Sequence, residues 1–152
     1  MKITVEEIKK LREKTGAGIL ECRKALEEAG GDEKKVREIL KKKGLRVAEE
    51  KKERETKQGI IEAYTHAGGK VVSVVELLCE TDFVARNEEF KALAHELCMQ
   101  VAAMNPKNVR ELLGQEYIRE PGKKIGDLLK ALIAKIRENI KINRIARFEL
   151  GE

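Results

Sequence analysis

Tryptophan is absent from the 152 residues, and only two Tyr and three Phe are present. So sparse a set of rings argues against a stacking platform for single-stranded nucleic acid, which needs exposed aromatic side chains in series. Cysteine is scarce too. Cys22, Cys79 and Cys98 are odd in number and far apart, so the expectation is free thiols in a reducing compartment and no disulfide framework. The strongest apolar runs, at 71–79 and 128–136, are too short or too broken by charge to span a bilayer. Met1-Lys2-Ile3-Thr4 leads into a helix start with no apolar signal region before it. A cytoplasmic protein with no membrane partner is the expectation. Asn and Gln are few beside abundant Lys, Arg and Glu, a bias that suits the ion-pair networks of heat-adapted proteins.

Constellations for catalysis are also missing. His66 stands alone, and His95 with Cys98 makes a single i, i+3 pair. Zinc sites announce themselves by several closely spaced ligands, so no metal and no cofactor are expected. A Cys/His nucleophile lacks an orienting acid. Gly16-Ala17-Gly18 lacks the glycine and lysine that complete a phosphate loop, and it joins two helical patterns instead of following a strand. An enzyme, using for example Asp82 and His66, is therefore the weakest reading.

What is abundant is charge. Lys and Arg number 32 and Asp and Glu 27, a net +5, alongside 41% hydrophobic residues. That is enough apolar material to fold, with an excess that permits an anionic partner without demanding one. The excess is confined to residues 1–58, with 18 basic and 13 acidic side chains, against 14 of each afterwards. Acids interleave the lysines of 41–57, which favours a solvated surface over a phosphate-binding patch.

Helix signals open the chain. Thr4 and Glu7 form a capping-box pair, with Ile3 and Ile8 as a staple, for a helix ending at Thr15-Gly16. Ile19, Cys22, Ala25, Leu26 and Ala29 mark a second helix closed by Gly30-Gly31. Asp32 caps a third, carrying Val36, Ile39 and Leu40, which the pattern closes at Gly44. Three helices this short must bury their stripes on one another. Past Gly59 the period changes: 60–65 and 71–79 are rich in β-branched residues around Ala67-Gly68-Gly69-Lys70, a hairpin pattern. Asn87 opens a helix through Phe90, Leu97 and Met104 that ends at Asn105-Pro106. Residues 107–126 are less decided, with a short helix at 109–113. Asp127 caps a helix to Ile136, and Ile140, Ile142, Ile145 and Phe148 point to a final strand. The expected class is α+β: a three-helix bundle at 1–44, a charged helical linker at 45–58, and an antiparallel sheet packed with helices at 59–152.

Between the hairpin and the Asn87 helix, where a short polar loop would suffice, stands Cys79-Glu80-Thr81-Asp82-Phe83-Val84-Ala85-Arg86-Asn87. Composition alone favours a turn organised by Asp82 with Phe83 folded onto the core. The alternative is an exposed apolar wedge with an acid beside it, the make-up of a binding hot spot.

Leu11-Arg12-Glu13-Lys14-Thr15-Gly16-Ala17-Gly18-Ile19-Leu20-Glu21-Cys22-Arg23-Lys24-Ala25-Leu26 resembles the first signature of the elongation factor Ts family, and Glu80 to Asn87 resembles its second. Residues 133–140 and 147–151 resemble the family's C-terminal end. Arg137 departs from it, standing where the family usually has Gly, and 105–126 looks like a trimmed connection. The resemblance implies a UBA-like bundle and a guanine-nucleotide exchange factor for elongation factor Tu, releasing GDP during translation. It also implies two contact sets. Gly16, Ala17, Gly18, Ile19 and Leu20 would dock on the partner's G domain, and Thr81, Asp82, Phe83 and Val84 would intrude near its magnesium site. An open edge on a small sheet suggests a homodimer through the α+β part. The competing class is a basic helical nucleic-acid-binding module with an α+β dimerisation unit; the resemblance carries no expectation of direct nucleic-acid binding.

Overall fold

Local signals build the N-terminal helices. In the computed structural model, which describes residues 2–152, α1 spans Val5–Thr15. Thr4 Oγ1 accepts the Glu7 N–H at 3.2 Å and the Glu7 carboxylate accepts the Thr4 N–H at 2.9 Å, so two orphan donors of the first turn are satisfied. α2 spans Ile19–Ala29 and ends on Gly30 in the left-handed conformation. The Asp32 carboxylate then caps α3, Glu33–Lys51, accepting the Lys34 N–H at 3.0 Å. Ala25, Ala29 and Val36 form a small core with Leu11, Leu26, Ile39 and Leu40 packed on it.

α3 corrects the expected closure at Gly44: it runs through that glycine without a break. A boundary at residue 44 therefore falls inside a helix, and the 45–58 segment is helical only as far as Lys51. Nor is it wholly solvated, because Ala48 is buried in the main core. A helix-interior glycine costs stability, but it also lets another element approach closely. A Cβ at Gly44 would lie 3.4 Å from the Ala134 Cβ, so α3 crosses the later helix α7 at a point where both side chains are small.

The second unit is a three-stranded antiparallel sheet in the order β1-β2-β3, with β1 at Gln58–His66, β2 at Val71–Cys79 and β3 at Lys141–Glu149. Along β2 the residues alternate: Val71, Ser73, Val75, Leu77 and Cys79 are buried and those between are half-buried. The buried face meets α5, Glu88–Met104, through Phe90, Leu97, Cys98 and Val101. Ser73, fully buried, donates its hydroxyl proton to the Cys98 carbonyl at 2.6 Å, so its buried hydroxyl is satisfied.

Before α5 comes the single turn α4, Asp82–Ala85; after it come α6, Val109–Gly114, and α7, Ile125–Ile136. The 107–124 connection is ordered around Gln100, whose buried amide donates to the Gln115 side chain at 3.2 Å and the Glu116 carbonyl at 3.0 Å and accepts the Ile118 N–H at 3.0 Å. α7 starts two residues before the expected cap. Asp127 lies inside its first turn, and its carboxylate reaches back to the Lys124 N–H at 3.2 Å.

The crossing at Gly44 gives a test. Gly44→Ala adds one methyl at ordinary contact distance and removes the glycine's conformational cost, so it should raise stability by about 0.5–1 kcal/mol. Gly44→Leu forces α3 off α7 and should lower stability by about 1–3 kcal/mol. Urea unfolding midpoints of the two variants check the pair of opposite signs.

Candidate partner-binding site

Cys79 ends β2 with its side chain buried, and its thiol donates to the Thr81 carbonyl at 3.2 Å. Burial, with the Glu138 carboxylate nearby, pushes that thiol up to about 11. Cys98 is likewise pushed up to about 11 by burial and by Glu62, and donates to the Glu62 carbonyl at 3.2 Å. At neutral pH both are protonated donors within the core, not nucleophiles. Tyr64 shares a 2.9 Å hydrogen bond with His66 Nδ1 and packs edge-on against His95. Among the described residues no cluster of three or more His, Cys, Asp or Glu could hold a metal.

Beyond Cys79 the chain turns outward. Thr81 is extended, at φ −122° and ψ 157°, and its Oγ1 accepts the Val84 N–H at 3.3 Å, which starts α4. One helical turn sends alternate pairs to opposite sides. Val84 and Ala85 go into the main core. Asp82 and Phe83 face out, and Phe83 is 76% exposed. The core position is filled instead by Phe90, at 0% exposure, because Asn87 caps α5 and orients its first turn inward through bonds to the Glu89 and Phe90 N–H groups at 2.8 and 3.2 Å. The Phe83 ring is backed by the Arg86 guanidinium, 5.6 Å from its centroid, and Arg86 is held by the Asp82 carboxylate at 3.2 Å. Ring, acid and guanidinium thus form one surface cluster.

Of the four residues expected in this wedge, the structure exposes two. Val84 is a core side chain at 9% exposure, which corrects its expected place on the wedge: it packs under the turn. Thr81 points its hydroxyl at Glu138, 2.7 Å away. Glu138, which follows the end of α7, also accepts the Glu80 and Thr81 N–H groups, both at 3.0 Å. Glu80 returns the contact, accepting the Asn139 N–H at 2.5 Å and Arg54 at 3.3 Å. Nothing in the sequence pattern marks these partners, since Glu138 lies 58 residues from Glu80 and reads as an ordinary polar residue between a helix and a strand.

The other expected contact set lies at the α1–α2 corner. Gly16 closes α1 with φ +71° and its N–H bonds to the Arg12 carbonyl at 2.7 Å. The left-handed φ favours glycine there, and the Lys135 stem lies across it, its Cε 2.6 Å from where a Cβ would sit. Ala17 is half-buried and Gly18 exposed. Ile19 and Leu20 open α2 at 56% and 67% exposure, while Cys22 and Ala25 on the same helix are fully buried. Glu21, beside Leu20, pairs with Arg137 of the core unit. The two exposed apolar spots therefore sit on different units, and both are tied to the C-terminal end of α7.

Comparison with known proteins gives the same frame. The family model for elongation factor TS matches residues 80–152. Over the whole chain, elongation factor Ts of Thermotoga petrophila is 45% identical, with 100% of this chain and 98% of that protein covered in an alignment over 195 residues. The Thermotoga maritima protein is 44% identical over the same coverage. Elongation factor Ts of Thermodesulfovibrio yellowstonii is 41% identical, covering 100% and 98%. These alignments are longer than the 152 residues present here, so the relatives hold stretches that this chain lacks. Each signature segment exposes apolar side chains, Ile19 and Leu20 in the first and Phe83 in the second, and with relatives more than 40% identical matched end to end, the chain belongs to the elongation factor Ts family.

Proposed function

We propose that this protein is the guanine-nucleotide exchange factor of elongation factor Tu, acting in the cytoplasm during translation elongation and carrying out no covalent step of its own. The observation that supports it most is Phe83, a large apolar ring 76% exposed at the tip of a turn that the fold holds in place. A solvent-facing ring with an acid and a guanidinium around it fits a binding anchor better than a folding element. In this reading Ile19 and Leu20 dock on the G domain. Asp82 and Phe83 then intrude where magnesium and its supporting elements hold the nucleotide. Magnesium at such a site keeps several waters and few protein ligands, so displacing those elements loosens the phosphates. Linkage makes the effect reciprocal: a factor that weakens GDP is itself released by GDP, and a 10⁴-fold effect equals about 5.5 kcal/mol of coupling.

Phe83→Ala separates anchor from core. Because the ring is exposed, the variant should unfold within about 0.5 kcal/mol of the parent, whereas release of fluorescent GDP from elongation factor Tu should slow at least about tenfold. Asp82→Ala should slow release most at high magnesium. A Phe83→Ala protein that is destabilised but exchanges normally would return the ring to a structural role.

The same unit supports a homodimer, through a face instead of the expected edge. On the side of the sheet away from α5, Val72 and Val74 of β2 are half-buried. Their register neighbours are Phe148, 71% exposed, and Ala63 and Ala146, also exposed. With Ile61 at 63% exposure, this is a contiguous apolar surface of the kind that a second copy covers. Sedimentation at micromolar concentration should give twice the 17.2 kDa chain mass. Phe148→Glu should return the protein to a single-chain mass without loss of folding, and a parent that already sediments at 17.2 kDa would rule the dimer out.

A further inference from the structure

We propose that the turn Arg137-Glu138-Asn139 is the joint that holds both partner-facing surfaces, with Glu138 as the positioning residue for Phe83; this rests on the exchange reading above. One carboxylate serves three donors. Glu138 Oε1 accepts the Glu80 and Thr81 N–H groups at 3.0 Å each, and Oε2 accepts the Thr81 hydroxyl at 2.7 Å. Those bonds are charge-assisted and come from two adjacent residues, so they fix the orientation of the chain entering α4 as well as its position. The Thr81 hydroxyl passes the constraint on through its bond from the Val84 N–H.

The contact is reciprocal. Glu80, one residue before the cap, sends its own carboxylate to the Asn139 N–H at 2.5 Å. Each segment thus supplies a carboxylate to the other's backbone, and neither can slide without breaking both sets. Asn139, only 7% exposed, uses its amide to donate to the Lys52 and Arg54 carbonyls at 3.3 and 2.8 Å. That ties the same turn to the chain leaving α3, the helix shared with the bundle.

Arg137 carries the joint to the other surface. Its φ is +67°, a conformation that residues with a Cβ rarely adopt, and its guanidinium pairs with Glu21 next to the exposed Leu20. Two residues earlier, Lys135 crosses Gly16 and pairs with Glu89 at 2.7 Å. The two anchors on separate units are thereby held at one spacing before the partner arrives. Engagement of the bundle then presents Phe83 without a further search, as linked sites do when their geometry matches the target.

The division of labour is read by steady-state exchange kinetics with elongation factor Tu loaded with fluorescent GDP, together with hydrogen exchange at the Glu80 and Thr81 amides. Glu138→Ala should lower kcat between about ten- and a hundredfold, leave KM for the partner within about twofold, and speed exchange of both amides. Glu138→Gln keeps acceptor atoms without the charge and should fall between parent and Glu138→Ala in kcat. Arg137→Gly should instead raise KM and leave kcat in place. Parent-like kcat in Glu138→Ala overturns the proposal, as does parent-like KM in Arg137→Gly. If Glu138→Ala does not fold, the Gln variant and the parent decide: a parent-like kcat in Gln, or unprotected Glu80 and Thr81 amides in the parent, overturns it. A parent that fails to release GDP defeats the exchange reading, while amide protection still decides whether the clasp exists.

Discussion

A backbone N–H that leaves the end of a strand and is shielded from water must find an acceptor or forfeit the cost of its dehydration. At the end of β2 the part-buried N–H groups of Glu80 and Thr81 find one carboxylate, that of Glu138 just after α7. The geometry of the exposed turn that follows depends on that bond set. It places Thr81 as a cap, the cap starts α4, and one turn of helix is enough to bury Val84 and expose Phe83. Without a fixed start the apolar pair at 83 and 84 would have no reason to divide between core and solvent. The hydrophobic effect alone would draw both inward.

The fold joins two apolar sets of unequal size. The bundle core rests on Ala25, Ala29 and Val36, while the main core gathers Phe90, Leu97, Val101 and their neighbours around the sheet. α3 contributes to both, with Val36 in one and Ala48 in the other. A continuous helix is a stiffer connection than a loop, and the Gly44–Ala134 crossing fixes where it touches α7. Exposed charge does little of this work. Pairs such as Lys52–Glu49 and Lys57–Glu55 are largely solvated, which fits the interleaved charge of the N-terminal third and a solvated surface instead of a phosphate track.

Much of this was legible because the signals are local. Thr4 with Glu7, Asp32, Asn87 and the glycines at 16 and 30 mark helix ends by bonds within a turn, and alternation along 71–79 marks the strand at the centre of the sheet. The misses share one cause. Gly44 reads as a stop because its own cost is local while its compensation, Ala134, is 90 residues away in sequence. Asp127 reads as a cap because Asp fits two positions of a first turn, and the choice fell to Ile125 being drawn fully into the core. Val84 entered the contact set through the family resemblance, which does not say which way the side chains of a single turn face. Glu138 and Asn139 were invisible as joint residues, since their meaning lies wholly in partners 57 or more residues away.

The most direct measurement places fluorine on the ring itself. With 4-fluorophenylalanine at position 83, the free chain should give a single fluorine resonance of a solvent-exposed ring. It should shift and broaden when nucleotide-free elongation factor Tu is added, and return when excess GDP and magnesium dissociate the pair. A resonance already shielded from solvent in the free chain, or one that stays unchanged while the complex forms, would contradict the claim that this turn exists to present Phe83 to a partner.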